Sequence, residues 1–323
     1  MSLSLTVIAI VNHLNPKTFE KQYKEHLCDF REWKKEVNAE ALVYPENFGK
    51  YMSIDEVALS KDELYTVITN KEAHGKKGAL AALIKGTKGE IVSKALAKVP
   101  IEIRMKVKEI TMDFANVMDW ICRTNFMNAT LVGDRFHAQQ IVSEGVQEIR
   151  IRLRRKAIDD ENEMMMECRK QKISFRPQTY ANGDTQKQLL ARGRYILFKP
   201  SNKWSHSQRE RAEIMFQEFP ELKKAYDLAM YFRNIFETAK TQVNAKIRFH
   251  KWFEKVSISG LSAVISSANT MEQQLGKILN YFPNGSTNAS AESFNARLKG
   301  FRLLVRGVSD VDFFLYRIVQ LYV

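Results

Sequence analysis

The segment YMSIDEVALSKDELYTVIT, residues 51–69, contains the first two of five short strands that this sequence predicts. Tyr51–Leu59 is an apolar run interrupted by two acids, and Leu64–Thr69 is rich in β-branched and aromatic residues, as strands are. Ala79–Ile84 is the third predicted strand. Three strands in succession favour antiparallel hairpins.

Downstream of these strands, helices alternate with strands. The helical pattern of Glu90–Val99 ends at a proline, and the next predicted strand, Val107–Met112, ends at Asp113. A helix through Cys122 and a fifth strand, Ala129–Val132, follow. Strands separated by helices favour parallel crossovers. The sequence therefore predicts a mixed α/β fold, a five-stranded mixed sheet flanked by helices.

The rest of the chain is predicted to be mainly helical. Residues 175–204 have the composition of a loop, and a turn at 283–288 introduces the last helices. Four segments carry apolar residues at helical spacing: 17–40, 136–170, 207–255 with a break at Pro220, and 262–281.

The charge balance favours an anionic partner. Fifty Lys and Arg residues stand against 37 Asp and Glu residues, a net charge of +13 that attracts polyanions, nucleic acid first among them. The alternative is a basic protein without such a partner. The three cysteines lack CxxC spacing, so no zinc ribbon or disulfide framework is predicted. The apolar stretch Leu3–Val11 is too short to span a bilayer, so we expect a cytoplasmic protein without a membrane partner.

Three acids suggest a site for phosphodiester chemistry. Such chemistry needs an in-line nucleophile and a stabilised leaving oxygen, which two Mg²⁺ or Mn²⁺ ions about 3.5–4 Å apart can supply. These ions prefer carboxylate oxygens. Asp55 lies within the first strand, Asp113 ends the fourth, and Glu292 lies near the start of a late helix. Each acid alone is weak evidence, since a strand-end Asp is more often a turn residue or helix cap; their order indicates a shared site.

Strand and helix periodicity refine this site. If the first and fourth strands are neighbours, Asp55 and Asp113 face one another, while Glu56 points to the opposite face of the sheet. On the late helix, Glu292 and Asn295 share one face with Lys299, because they are three and four residues apart. The alternative for that helix is an amphipathic surface helix with incidental charge.

Several sequence blocks, in this order, resemble those of a known family. The combination is similar to bacterial insertion-sequence transposases of the ISL-three kind, over residues 50–320. The blocks are SIDEVAL at 53–59, ITMDFANVM at 110–118, LVGDRFHAQQ at 131–140, FPELKKAYDLAMYFRNIFE at 219–237 and NASAESFNARLKGFRLLVRGVSDVDFFLYRI at 288–318.

The resemblance implies a ribonuclease-H-like core with a large helical insertion. It assigns residues 51–140 and 284–323 to the core, 141–283 to the insertion and 1–50 to a helical N-terminal segment. It also implies a catalytic triad of Asp55, Asp113 and Glu292 that binds two Mg²⁺ or Mn²⁺ ions.

Two further residues fall near the implied site. The block DRFH places Asp134 and His137 on an element that related transposases have just after the fifth strand. Asp134 could replace Asp55 in the triad, but Asp55 is preferred because this fold has its first acid on the first strand. His137 could orient Asp134, contact a scissile phosphate, or be a hydrogen-bonded core histidine.

Two groups of basic and polar residues are candidates for contacts with DNA phosphates. For the second group, a solvated helix face is the alternative. The groups are Asn295, Arg297, Lys299 and Arg302 on the last helices, and Arg152, Arg154 and Arg155 with Arg150 and Lys156 in the run IRIRLRRK at 149–156.

The resemblance implies an enzyme that cuts the ends of a mobile element and joins them to target double-stranded DNA. It also implies a homodimer associated with the bacterial nucleoid. Family members usually carry an N-terminal zinc-binding segment and a helix-turn-helix, yet only 54 residues precede Asp55. Either a separately encoded domain is expected to recognise the element's ends, or this chain is a truncated copy. A structure-selective nuclease and a catalytically decayed DNA-binding protein remain as alternatives.

Overall fold

The computed structural model describes residues 5–60, 63–285, 289–304 and 310–323. Contacts between Cα atoms divide the chain into two compact units. The sheet unit comprises Met1–Asp134 and Ser286–Val323, and the helical unit comprises Arg135–Gly285. The sheet unit is thus built from two chain segments that the helical unit separates in sequence.

The described residues contain six strands and fifteen α-helices. The strands are β1 (Ala41–Val43), β2 (Tyr51–Ser60), β3 (Glu63–Asn70), β4 (Leu80–Lys85), β5 (Glu109–Met112) and β6 (Thr130–Gly133). The helices are α1 (Leu5–Val11), α2 (Pro16–Gln22), α3 (Phe30–Glu36), α4 (Gly89–Leu96), α5 (Ile101–Arg104), α6 (Asn116–Asn125), α7 (Arg135–Lys170), α8 (Gln186–Arg192), α9 (His206–Glu218), α10 (Pro220–Thr238), α11 (Gln242–Ser257), α12 (Ser262–Gln273), α13 (Leu275–Leu279), α14 (Ala289–Leu304) and α15 (Val311–Tyr322).

The sheet has the strand order β1-β4-β3-β2-β5-β6. Strands β2, β3 and β4 pair antiparallel, whereas β5 pairs parallel to β2, and β6 pairs parallel to β5. Without β1, this is the ribonuclease-H-like arrangement, which confirms the predicted mixed α/β fold. The predicted count of five strands was wrong, because Ala41–Val43 adds a sixth strand antiparallel to β4.

Each face of the sheet carries its own apolar core. On one face, Ile54 and Ile110 pack with residues of α4 and α6 such as Leu96. On the other face, Val57 and Val67 pack with residues of α14 and α15 in a cluster that includes Phe294, Leu298, Phe314 and Ile318. Because strand side chains alternate between faces, Asp55 shares the second face with Val57. The fold therefore sets Asp55 on the face that α14 covers.

The helical unit is organised around α7, which has 36 residues and packs against α10 and α12. The predicted helix over 136–170 is confirmed. Gly145 lets α7 approach α12 closely, because a Cβ atom there would lie 2.9 Å from the carbonyl oxygen of Ala263. Phe232, Phe249 and Trp252 pack in the interior with their rings tilted against one another, as their helical spacing predicts.

Two other predictions for this unit need correction. The expected loop at 175–204 contains the helix α8, whose capping box is formed by Thr185 and Gln188. The stretch 207–255 breaks not only before Pro220 but also between α10 and α11. Within the described residues, no helix is long and apolar enough to cross a membrane.

Candidate active site

Asp55 is held in place by two hydrogen bonds. Its Oδ1 accepts the backbone N–H of Glu56 at 2.8 Å, and its Oδ2 accepts the side-chain amide of Asn295 at 2.7 Å. The second bond joins residues 240 positions apart in the chain. It therefore ties β2 to α14, the helix that also carries Glu292.

Asp113 lies next to Asp55 by strand register. Ser53 of β2 pairs with Thr111 of β5, and each acid comes two residues after one member of that pair. Asp113 directly follows Met112, the last residue of β5, and its Oδ1 accepts a hydrogen bond from the backbone N–H of Ala115 at 2.9 Å. The two carboxylates thus belong to adjacent parallel strands at the same level of the sheet.

Asp134 extends this row of acids to the third parallel strand. It follows Gly133, which pairs with Met112, so Asp113 and Asp134 each come directly after a paired residue. Asp134 is fully buried, and its backbone N–H donates to the carbonyl oxygen of Met112 at 2.8 Å. His137 lies in the first turn of α7 and is half-buried; its predicted relation to Asp134 stays a prediction.

The acids affect one another electrostatically. Burial raises the pKa of Glu56, and the charges of Asp113 and Asp55 raise it further. Alternation along β2 sets Glu56 on the sheet face of Ile54, opposite to that of Asp55. The charges of both aspartates therefore affect the pKa of Glu56, although Glu56 lies on the opposite face of the sheet. Substitution of Glu56 can thus serve as a control for substitution of Asp55 and Asp113.

Glu292 lies one helical turn before Asn295 on α14 and is half-buried. Asn295 is 6% exposed, and its Oδ1 is buried without a hydrogen-bond partner. A buried acceptor without a donor is rare in proteins and often marks a functional position. The amide nitrogen of Asn295 and Oδ2 of Asp55 are thus the two ends of one short contact, while the amide oxygen lies beside them without a donor.

A buried ion pair that the sequence did not suggest lies on the same sheet face. Lys71 donates to Oε1 of Glu109 at 3.0 Å and to Oγ1 of Thr111 at 2.7 Å. Burial lowers the pKa of Lys71, while Glu109 and, less strongly, Asp134 oppose that shift. The one signal in the sequence was an acid at the start of an otherwise apolar strand. Lys71 supplies a positive charge close to the row of acids.

The acids suit a divalent cation by chemistry but do not form a complete ligand cluster. Carboxylate oxygens and a buried amide oxygen are the donors that Mg²⁺ and Mn²⁺ prefer. Among residues 5–60, 63–285, 289–304 and 310–323, however, no three His, Cys, Asp or Glu side chains are grouped to hold one metal ion. Strand register thus places Asp55 beside Asp113, and Asn295 links Asp55 to α14. Within the described residues, Glu292 does not join the two aspartates in one metal-binding group.

The residues of α14 predicted to contact DNA differ in their surroundings. Asn295 is buried against Asp55, and Nη1 of Arg297 donates to the carbonyl oxygen of Gly75 at 2.8 Å. The guanidinium of Arg302 lies 5.1 Å from the ring centroid of Phe314. Lys299 is exposed. Contacts of these four residues with DNA stay predictions.

The basic run on α7 does not form one continuous ridge. Arg150 is 5% exposed, which contradicts its place in a solvated row. Arg152 is exposed and forms an ion pair with Glu221. Arg154 and Arg155 are exposed and line a cavity of the helical unit. A helix turns 100° per residue, so neighbours in the run face different surroundings.

Comparison with known proteins yields one family. A family model described as a transposase, of the DDE type named for ISL-three, matches residues 52–318. No curated protein matches the chain. A solved structure, the Drosophila P element transposase strand transfer complex, aligns with 99% of this chain and 91% of its own, at 11% identity and a TM-score of 0.37. At that TM-score we draw no conclusion from the alignment.

Proposed function

This chain belongs to the ISL-three family of transposases, and we propose that it cuts DNA at the ends of a mobile element and joins them to a new site with Asp55, Asp113 and Glu292. The observation that carries this proposal is the contact between Asp55 and Asn295. It attaches the helix of Glu292 to the strand of the first acid, and register sets Asp113 beside that acid.

The two reactions are transfers at phosphorus. In cleavage, a water oxygen bonds to phosphorus, the bond from phosphorus to the 3′ oxygen breaks, and that oxygen takes up a proton. In joining, the new 3′-hydroxyl loses its proton as its oxygen bonds to a target phosphorus, and the target's own 3′ oxygen leaves. Both reactions concentrate negative charge on the same phosphate oxygens, so one site can catalyse both.

We propose that Asp55, Asp113 and Glu292 hold the Mg²⁺ or Mn²⁺ ions, two per site. Bound there, divalent ions would lower the pKa of the attacking water and neutralise charge on the phosphate. Asn295 orients Asp55 by fixing its Oδ2. Lys71 offsets part of the negative charge that the acids bring to this face.

The proposal extends to organisation and partners. Residues 51–140 and 284–323 would form the catalytic core, 141–283 the insertion, and 1–50 an N-terminal segment. The partner is double-stranded DNA of the element and its target, bound by a homodimer at the bacterial nucleoid. Sedimentation with and without DNA tests the dimer.

Removing single carboxylates tests the triad. We expect Asp55→Asn, Asp113→Asn and Glu292→Gln each to reduce Mn²⁺-dependent nicking of duplex DNA by at least about 10³-fold, as for other groups that stabilise transition-state charge. Binding of labelled DNA without metal should stay within twofold of the original. Glu56→Gln is the matched control, because it removes an adjacent acid on the opposite sheet face and should leave nicking intact.

The outcomes separate the alternatives. Nicking that survives any two of the triad substitutions would rule out this triad, and loss with Asp134→Asn in place of Asp55→Asn would favour the set Asp113, Asp134 and Glu292. A pre-cut end that yields no joined product identifies a nuclease. DNA binding without any nicking of the unsubstituted protein identifies a decayed enzyme.

A further inference from the structure

The helical unit contains a cavity of about 520 Å³ whose lining is strongly basic. Arg150 is a buried member of this lining, and Arg154, Arg155 and Arg194 are exposed members of it. Glu144 is the one acid in this lining, and its Oε1 already accepts the amide of Gln140 at 2.8 Å. Four guanidinium groups thus face a single space with one carboxylate to balance them.

Arg150 is the unusual member of this group. Arginine is rarely buried unless it is paired with an acid, yet the described partners of Arg150 are neutral. Its Nε donates to Oε1 of Gln147 at 2.6 Å, and its Nη1 donates to the carbonyl oxygen of Leu190 at 3.0 Å. A guanidinium has five N–H groups, so two bonds leave most of its donors for another acceptor.

The neighbouring charges add to this imbalance. Burial lowers the pKa of Arg150, and the charges of Arg194 and Arg154 lower it further. No ion pair joins Arg150, Arg154 or Arg194 to a carboxylate among the residues that the structure describes. An anion in the cavity would remove the mutual repulsion, and phosphate oxygens match the planar fork of arginine.

A second basic cavity continues from the first. It has a volume of about 530 Å³ and shares Glu144, Arg194 and Phe198 with the first cavity. The charged residues that it adds are Arg135, Arg233 and Glu237, so three arginines face two glutamates there. Nε of Arg233 is buried without a hydrogen-bond partner. Two cavities in succession suit a chain of phosphates better than one free anion.

We propose that Arg150, Arg154 and Arg194 form a phosphate-binding pocket that takes a backbone phosphate of DNA. This inference rests on the proposed function for the identity of its ligand. It differs from a contact ridge on α7, because Arg194 comes from a different part of the chain and Arg150 is buried. The pocket gives the helical unit a DNA contact of its own.

Charge removal at the exposed members tests the pocket without removing the buried Arg150. We expect Arg154→Gln and Arg194→Gln each to weaken binding of labelled duplex DNA about 5- to 10-fold at 0.1 M salt, measured by fluorescence anisotropy without divalent metal. The slope of log affinity against log salt should fall by about 0.9 for each lost contact. Arg209→Gln is the matched control, since it removes the same charge from an exposed position of α9 outside both cavities.

Inorganic phosphate distinguishes the source of the ligand. We expect it to compete with DNA and to raise the melting temperature of the unsubstituted chain, with the rise lost in the Arg154→Gln/Arg194→Gln double variant. If both single variants bind DNA as Arg209→Gln does, the pocket does not bind DNA. If phosphate stabilises the chain while DNA affinity is unchanged, the pocket holds a free anion and the DNA assignment is wrong.

The test is independent of catalysis. Binding is measured without metal, so an inactive triad leaves its result unchanged. Conversely, a pocket that fails to bind phosphate leaves nicking by Asp55, Asp113 and Glu292 untouched. Circular dichroism at the assay temperature confirms that each variant is folded before binding is compared.

Discussion

Asn295 illustrates how a neutral side chain can position an acid of the candidate active site. Its amide donates to Asp55, while its own oxygen is buried without a partner. A hydrogen bond to a charged acceptor is stronger than one between neutral groups. The residue thus restrains the carboxylate that would otherwise rotate within its strand.

Removing this amide should affect catalysis more than binding. We expect Asn295→Ala to lower Mn²⁺-dependent nicking about tenfold, and to destabilise the fold by about 1.5–3 kcal/mol because Asp55 loses a charge-assisted bond. Nicking rates and urea unfolding measure the two effects. Ser293→Ala, an exposed change on the same helix, is the control and should alter neither. Unchanged nicking in Asn295→Ala would show that Asp55 needs no such restraint.

Asp184 is a buried acid in the helical unit with two arginine partners. Its Oδ2 accepts a hydrogen bond from Nε of Arg211 at 2.7 Å, and its Oδ1 forms an ion pair with Arg192. Burial alone would raise its pKa, but the hydrogen bonds and charges of Arg211 and Arg192 outweigh burial and hold the pKa below the ordinary value of 3.8. The folded state therefore prefers the ionised form.

The stabilisation by Asp184 should be lost in acid. A depressed folded-state pKa gives stability that is present above about pH 3.8 and disappears as pH falls through the folded value. We expect Asp184→Asn to destabilise the chain by about 2–3 kcal/mol at pH 7, after allowance for the partly exposed Arg192. Urea unfolding should show the difference shrinking below pH 3.8. A constant difference across that range would contradict the assignment.

At the scale of elements, the close packing of α7 on α12 depends on Gly145. Alanine in a helix interior is normally favoured over glycine by about 1 kcal/mol. At Gly145, however, the added Cβ would lie 2.8 Å from Oγ of Ser267 and 2.9 Å from a backbone oxygen of Ala263. The backbone cannot move away as a flexible side chain can. Steric repulsion therefore outweighs the helix propensity of alanine, and the substitution is expected to destabilise the fold.

Alanine at this position should separate the two helices. We expect Gly145→Ala to destabilise the helical unit by about 1–3 kcal/mol, in the range for overpacked interiors. Gly276→Ala on α13 is the control, because nothing lies within 4 Å of its added Cβ. That change should be neutral or stabilising by up to about 1 kcal/mol. Calorimetric melting measures both, and equal melting temperatures would contradict the argument.

Elements with strong periodicity were predictable from sequence, and short or composite ones were not. The alternation in β2 and the long pattern of α7 give enough residues for a period to emerge. Strand β1 has three residues and forms only because β4 offers it an edge. The break between α10 and α11 likewise lacks a proline or glycine signal.

The candidate site was predictable in its acids but not in its contacts. Asp55 and Asp113 follow from strand positions, because parallel neighbours bring them to one level. The bond from Asn295 to Asp55 crosses 240 residues, and no local pattern encodes it. The burial of Arg150 was not predictable because a charged run normally faces solvent, whereas here Oε1 of Gln147 and the carbonyl oxygen of Leu190 accept hydrogen bonds from its guanidinium.

At the scale of the whole molecule, the net charge of +13 should govern binding to DNA. We expect affinity for non-specific duplex DNA to fall about 10³-fold between 50 and 200 mM salt if six or more phosphates are contacted. Anisotropy titrations across that range measure the slope. The melting temperature over the same range is the control for folding. A loss below tenfold would mean that the positive charge is spread away from the bound DNA.

The division of the sheet unit into two segments has a consequence for its synthesis. Strands β2–β4 emerge from the ribosome early, but α14 and α15, which cover the face bearing Val57 and Val67, follow the whole of Arg135–Gly285. At about 5–20 residues per second, that delay lasts roughly 8–30 s. During that time the apolar face of the sheet is uncovered and accessible to chaperones and to neighbouring nascent chains.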